Sequence, residues 1–298
     1  MGADRSHLNE VARALLDGSD ENRILAIEEG SWIPYQRAVE ILQRMEELLN
    51  YPRVTRMPNM LLVAPSNNGK SSILKRFMFR FPTDPNIAGD AIVAPVVLVE
   101  APSTPDTDDL YCRILQALFV PYKPSAKVKE KYHQVKTLFL TIGVRMLIIE
   151  EIQHLIAGSL NKQRDFRNAI KSLSNETQVV IVASGIEDAF NAFNTDEQLS
   201  SRFVPEFLPK WRLNQELGSL LMTLERRTPL KQPSGLADTA LAQKILWLSE
   251  GTIGDICDLV KMAAIGAIRN GDERISVELL DAIRWTPPSK RRQRPPMM

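Results

Sequence analysis

The sequence predicts an α/β protein in which strands and helices alternate up to about residue 210 and helices alone follow. Three observations carry that expectation. Residues 60–64 form a short apolar run that leads into a loop of small residues and then into Gly69-Lys70-Ser71-Ser72, the start of a helix-like stretch. Residues 144–149 form a second apolar run, and it ends in two carboxylates, Glu150 and Glu151. From Asn214 onward apolar residues recur only at helical spacing.

Taken in order, residues 1–30 form a helical extension carrying seven acids and three bases. Leu8, Val11, Leu15 and Leu16 predict one helix over 6–28. Residues 31–210 make the α/β domain. It begins with Trp32-Ile33-Pro34-Tyr35, where Ile33 and Tyr35 either pack on a nucleotide base or staple the next helix. That helix, 36–50, repeats Val39, Leu42, Met45, Leu48 and Leu49 on one side.

The stretch Ala64-Pro65-Ser66-Asn67-Asn68-Gly69-Lys70-Ser71-Ser72 has the make-up of a phosphate-binding loop. Successive backbone N–H groups of such a loop converge on an anion. The N-terminus of the following helix adds partial positive charge. Gly69 lets the backbone pass close to phosphate, Lys70 reaches the terminal phosphates, and the Ser71 hydroxyl ligates Mg²⁺. The phosphates of a nucleotide and Mg²⁺ are therefore the expected ligands.

A polar stretch, 82–90, precedes a strand over 93–99 that Ala94-Pro95 interrupts near its start. Asp106-Thr107-Asp108-Asp109 caps a helix running through Phe119. Lys123, Lys127, Lys129, Lys131 and Lys136 then recur, either as a solvated helix face or as a phosphate-backbone contact patch for DNA. The strand over 144–149 is expected beside the strand of the phosphate loop, with Glu150 holding Mg²⁺ and Glu151 polarising the attacking water. His154, with His7 and His133, is too isolated for a metal cluster. Lys162, Arg164, Arg167 and Lys171 mark the exposed face of the next helix.

Residues 178–183 are another buried strand, and Ser184 at its tip can hydrogen-bond a terminal phosphate or the attacking water. A short helix over 197–203 presents Arg202, read either as an arginine finger toward a neighbouring subunit's nucleotide or as a surface ion pair. A strand over 204–208 closes the domain. Residues 211–285 form a helical lid with stripes at 217–224, 240–248, 253–267 and 277–282. Residues 286–298 are a proline-flanked basic tail, expected to be disordered alone and to bind nucleic acid or an acidic surface.

The 298 residues are 44% hydrophobic with a net charge of +1, enough for a full core and without a global pull toward nucleic acid or membrane. Cys112 and Cys257 are the only cysteines, so there is no disulfide framework or zinc spacing. Neither an apolar signal core nor a bilayer-spanning run occurs, which predicts a cytoplasmic protein away from membranes.

The order of elements resembles the AAA+ ATPases: a P-loop NTPase fold with a parallel five-stranded sheet flanked by helices and a C-terminal helical lid. More narrowly, Trp32-Ile33-Pro34-Tyr35, Arg56-Met57-Pro58-Asn59, Asn67-Asn68-Gly69-Lys70, residues 143–152, Leu199 to Phe203 and Pro233-Ser234-Gly235-Leu236 resemble the TniB family, over about residues 30–285. That resemblance implies a bacterial ATP-binding regulator of DNA transposition. Such a protein assembles as a homo-oligomeric ring or filament on duplex DNA and recruits a DDE transposase, with a target-selection protein as a further partner. It also implies the phosphate and metal roles for Lys70 and Ser71, the acidic pair for Glu150 and Glu151, the sensor for Ser184 and the finger for Arg202. Three departures accompany it. Ala64 stands for the first loop glycine, Glu150 for the usual Asp, and Gly254-Asp255-Ile256-Cys257 lacks an arginine; together they predict a slow ATPase, stimulated by DNA or a partner. A non-hydrolysing nucleotide-bound adaptor and a helicase-loader-type ATPase remain the alternatives.

Overall fold

The computed structural model describes residues 5–291 apart from 90 and 157. In chain order the elements are α1 (Glu10–Leu15), α2 (Asp20–Glu29), α3 (Gln36–Leu49), β1 (Asn59–Val63), α4 (Lys70–Arg80), β2 (Val96–Glu100), α5 (Thr107–Ala117), α6 (Val128–Thr141) and β3 (Met146–Glu150). After a 3-10 turn at Ile152–Ile156 come α7 (Leu160–Thr177), β4 (Val180–Gly185), α8 (Glu187–Thr195), α9 (Glu197–Ser200) and β5 (Phe203–Phe207). The remainder is helical: α10 (Gln215–Arg227), α11 (Thr239–Ser249), α12 (Ile253–Asn270), α13 (Val277–Ala282) and α14 (Pro288–Arg291).

The chain divides into two compact units. The α/β unit comprises residues 37–65 and 70–208, built on one parallel sheet of order β2-β3-β4-β1-β5. Every residue of β1 and β4 is buried, as in parallel strands covered on both faces. Their Leu, Ile and Val side chains each contribute roughly 1.5–3 kcal/mol by leaving water. Pro205, which has no N–H to give a ladder, sits on the edge strand β5. Pro95 delays β2, which starts at Val96. The Asp106 carboxylate caps α5 as the acidic run predicted, accepting from the N–H groups of Asp108 and Asp109.

The sheet order corrects one expectation. The strand ending in Glu150 is not beside the phosphate-loop strand, because β4, with Ser184, lies between them.

The helical unit comprises residues up to 36, then 66–69, and the chain from 209. Its core joins Ile27 and Ile33 to Leu217, Leu221, Ile245, Ile256 and Leu259. The single N-terminal helix expected over 6–28 is two helices: α1 ends at Leu15 with Leu16 as its C-cap, and the Ser19 hydroxyl opens α2 by accepting from Asn22 N–H. The tail is ordered as far as it is described, with α14 a short turn; residues 292–298 of the expected disordered tail lie outside the described residues. Among the described residues no helix is long and apolar enough to cross a membrane. Both cysteines are free.

Candidate phosphate-binding site

β1 delivers the chain to Ala64, whose N–H donates to the Gly185 carbonyl at 3.1 Å, and α4 begins at Lys70. Between them Asn67 (φ 57°) and Gly69 (φ 87°) are left-handed, which turns the loop tightly and aligns backbone N–H groups in the manner of an anion nest. A Cβ on Gly69 would stand 3.1 Å from Ile253 Cγ2, so glycine is needed there for both φ and space.

Lys70 is 6% exposed. Its Nζ donates to the carbonyls of Ala64 (2.9 Å) and Pro65 (3.0 Å). Burial lowers its pKa, and the more distant charges of Glu151 and Glu150 oppose that shift without cancelling it. The result is a desolvated cation held by loop carbonyls. Ser71 and Ser72 are exposed in the first turn of α4.

Glu150 ends β3 opposite Glu100 of β2. Glu151 follows in a left-handed conformation (φ 54°), and its carboxylate accepts from the Gln153 side chain. Gln153 Oε1 in turn accepts from Ile186 N–H at 3.4 Å, tying the acidic turn to the end of β4. On β4, Ser184 pairs with Leu62 of β1 and is 1% exposed, and its hydroxyl has no hydrogen-bond partner. A buried hydroxyl without a partner is costly, so an oxygen-bearing ligand or ordered water fits beside it. Among the described residues no three His, Cys, Asp or Glu side chains cluster to hold a metal.

Within the helical unit the loop asparagines cap α12. The Asn67 carbonyl accepts from Gly254 N–H at 3.0 Å and the Asn68 side chain from Ile253 N–H at 3.2 Å. The capping residue Thr252 itself makes no side-chain cap bond. Asn68 Nδ2 also donates to the Pro209 carbonyl at 3.1 Å. A Cβ on Gly254 would fall 2.1 Å from Asn67 Oδ1. Gly254→Ala should therefore displace Asn67 and weaken Mg-nucleotide binding by about tenfold, the loss of roughly one good hydrogen bond. Calorimetric titration checks this, with unchanged affinity as the contrary result.

The remaining expected residues are placed as follows. Arg202 is half-buried and donates to Asn175 Oδ1 at 3.0 Å, with burial and then Arg56 lowering its pKa. Arg164, Arg167 and Lys171 line a cavity of about 330 Å³ together with Arg202, so the supposed exposed face of α7 is partly a pocket wall. Ile33 lies in the core of the helical unit, 8% exposed, and Tyr35 stands edge-on to Trp211 with ring centroids 5.1 Å apart. Lys123, Lys127 and Lys129 are exposed.

Lys131 is a correction, because it cannot belong to a DNA-contact patch. It is 1% exposed, bonded to Asp108 at 2.7 Å and to the Pro124 carbonyl at 2.9 Å, and lies 5.8 Å from the centre of the Tyr122 ring. It staples the loop between α5 and α6.

A parallel sheet of this order, with a phosphate loop after β1, carboxylates after β3, a polar tip on β4 and helices after β5, defines the AAA+ class of P-loop NTPases. Solved structures share the fold. The ORC2 protein of Aeropyrum pernix (ADPNP–ADP complexes) is 15% identical, covering 86% of this chain and 69% of that one at a TM-score of 0.58. The Aeropyrum pernix ORC1 protein in complex with DNA is 20% identical, covering 84% and 65% at 0.58. A Walker-type ATPase of Pyrococcus abyssi is 18% identical, covering 80% and 69% at 0.54. At such identities the likeness concerns the fold. No curated protein matches the sequence. The chain belongs to the TniB family, whose model, the bacterial TniB protein, matches residues 23–213.

Proposed function

We propose that this TniB protein is an ATP-dependent, DNA-binding regulator of DNA transposition in the bacterial cytoplasm. It forms homo-oligomers on target duplex DNA and recruits a DDE transposase, a target-selection protein being a further partner, and slow ATP hydrolysis controls assembly. One observation carries the nucleotide part: a buried lysine at the start of α4, held by the uncharged loop carbonyls of Ala64 and Pro65, in a chain of this family. A phosphate oxygen is a better partner for that ammonium than a neutral carbonyl, because a bond between two ions is stronger.

In this reading residues 64–72 cradle the phosphates and Tyr35 borders the base. Ser71 and Glu150 hold Mg²⁺, which when bound neutralises phosphate charge. Glu151 orients the attacking water, Ser184 gives its unused hydroxyl to that water or to the terminal phosphate, and Arg202 faces the nucleotide of a neighbouring protomer. Two features favour slow turnover: the Gln153 amide holds the Glu151 carboxylate, and the stretch Gly254-Asp255-Ile256-Cys257 lacks an arginine. Lys123, Lys127 and Lys129 supply sequence-neutral phosphate contacts. The ORC1 structure, in complex with DNA, supports a DNA ligand for this fold.

Sedimentation with a non-hydrolysable ATP analogue and duplex DNA tests the whole. Oligomers are expected only with both ligands present, dissociating steeply as salt rises; a monomer under every condition overturns the proposal. Glu151→Gln should lower turnover by about a hundredfold or more, in the range of general-base losses, and trap the DNA complex. Unchanged turnover removes Glu151 from the role of base.

A further inference from the structure

Asp255, in the first turn of α12, is 2% exposed. Its Oδ2 accepts from Asn67 Nδ2 of the phosphate loop at 3.0 Å and from the Thr252 hydroxyl. Its Oδ1 accepts from Arg291 Nη1 at 2.7 Å, across 36 residues of sequence. Arg291 is the last described residue, and the segment leading to it is anchored at Trp285 and Ser289. Trp285 Nε1 donates to the Leu248 carbonyl at 2.9 Å, and Ser289 N–H donates to Glu250 Oε1 at 3.0 Å. The Arg291 guanidinium lies 4.8 Å from the centre of the Trp285 ring, and its Nε donates to the Thr286 carbonyl at 2.8 Å.

We propose that Arg291 is a positioning residue of the phosphate loop, acting through Asp255 on Asn67, so that the C-terminal segment 284–291 sets nucleotide affinity. This rests on the reading of residues 64–72 as a nucleotide site.

The physical argument is one of charge in a dry place. A carboxylate as buried as Asp255 is tolerable only when paired and fully hydrogen-bonded. Arg291 supplies the cation, and its planar fork lets one edge serve Asp255 while Nε serves Thr286. Without that cation the carboxylate must turn toward water, and that change disturbs the oxygen that holds Asn67. Asn67 is left-handed, a conformation that its amide tether to Asp255 and the bond from Gly254 N–H to its carbonyl help to maintain. Loosening the tether leaves Lys70, Ser71 and the carboxylates in place but frees the loop backbone, so binding of the phosphates must then order it. The effect belongs to affinity and KM rather than to kcat.

Calorimetric titration of the full chain with a non-hydrolysable ATP analogue and Mg²⁺ tests this. Arg291→Ala should weaken binding about tenfold, as expected for a charged hydrogen bond lost at one remove, with Arg291→Lys recovering part of the loss. Steady-state turnover should show the change in KM with kcat nearly constant. In the nucleotide-free chain, amide exchange at residues 66–69 should quicken more than exchange at the Glu273 end of α12, whatever stability is lost with the buried pair. The double variant Asn67→Ala/Arg291→Ala should bind no more weakly than the worse single variant, because both cut one chain of contacts. Wild-type affinity in Arg291→Ala, or strictly additive losses in the double variant, overturns the coupling and leaves the nucleotide site standing. A wild-type chain that binds no nucleotide overturns both.

Discussion

Lys70→Met should weaken Mg-nucleotide binding about a hundredfold while raising the melting temperature of the nucleotide-free chain. The two effects have one cause. Lys70 is a buried ammonium whose nearest partners are the uncharged carbonyls of Ala64 and Pro65. Burial depresses its pKa, so holding it charged in the folded chain costs stability. Because its folded pKa lies below the unfolded value, that penalty is present below the folded pKa and fades as pH rises through it toward the unfolded value. Methionine is of similar length, removes the penalty and leaves no large cavity. With nucleotide the balance reverses. The ammonium then meets phosphate oxygens, and its loss removes a charge-assisted contact worth roughly 3 kcal/mol, about a hundredfold in affinity. Scanning calorimetry with and without the nucleotide analogue reads both signs at once. Wild-type ligand stabilisation in Lys70→Met would remove Lys70 from the site.

Much of this site was legible because its pieces are local. A strand buried on both faces is a continuous apolar run, so β1, β3 and β4 were recognisable, and so were the phosphate loop after the first and the carboxylates after the second. What was hidden depends on partners far apart in sequence. The insertion of β4 between β3 and β1 follows from how crossover helices return the chain to the sheet, which no single strand records. Lys131 shares the spacing of exposed lysines, and its burial rests on an ion pair with Asp108, 23 residues earlier, beside the Pro124 carbonyl and the Tyr122 ring. The pair Asn67-Asn68 read as small loop residues, yet they cap a helix more than 180 residues later. The sequence Gly254-Asp255-Ile256-Cys257 lacked an arginine, and the guanidinium that reaches Asp255 arrives from Arg291, in a tail expected to be disordered. The N-terminal extension contains its own break signal, Gly18-Ser19, a glycine followed by a helix-capping hydroxyl, which the apolar spacing of 6–28 obscured.

Glu273→Gln should make the chain markedly less stable at neutral pH and remove part of its acid sensitivity. Arg23 is fully buried. It donates to the Pro229 carbonyl at 2.7 and 3.0 Å, to Asp20 at 2.7 Å, and to both carboxylate oxygens of Glu273. Burial alone would raise the Glu273 pKa. The bonds from Arg23, from the Lys231 side chain and from Lys231 N–H outweigh it, so the carboxyl falls to about 2. Its folded pKa is thus depressed, and the stabilisation is complete above the unfolded value of 4.5 and lost as pH falls through about 2. Integrated over that window the group contributes on the order of 3 kcal/mol. Glutamine keeps the shape but leaves the Arg23 cation with Asp20, 56% exposed at the side chain, as its one carboxylate among the described residues, at a cost of about 3–5 kcal/mol. Thermal melts from pH 7 to pH 2 should show wild type declining steeply below pH 4.5 and Glu273→Gln starting lower with a shallower fall; parallel curves contradict the assignment. Glu273 follows the C-terminal end of α12, and Arg23 belongs to α2, which packs on that helix. The opposite end of α12 is the one capped by Asn67 and Asn68. Loosening α12 at the Glu273 end should therefore weaken nucleotide binding only at temperatures where the helical unit begins to melt, whereas Arg291→Ala weakens it in the fully folded chain. That difference in temperature dependence separates a residue that holds the unit together from one that aims its loop.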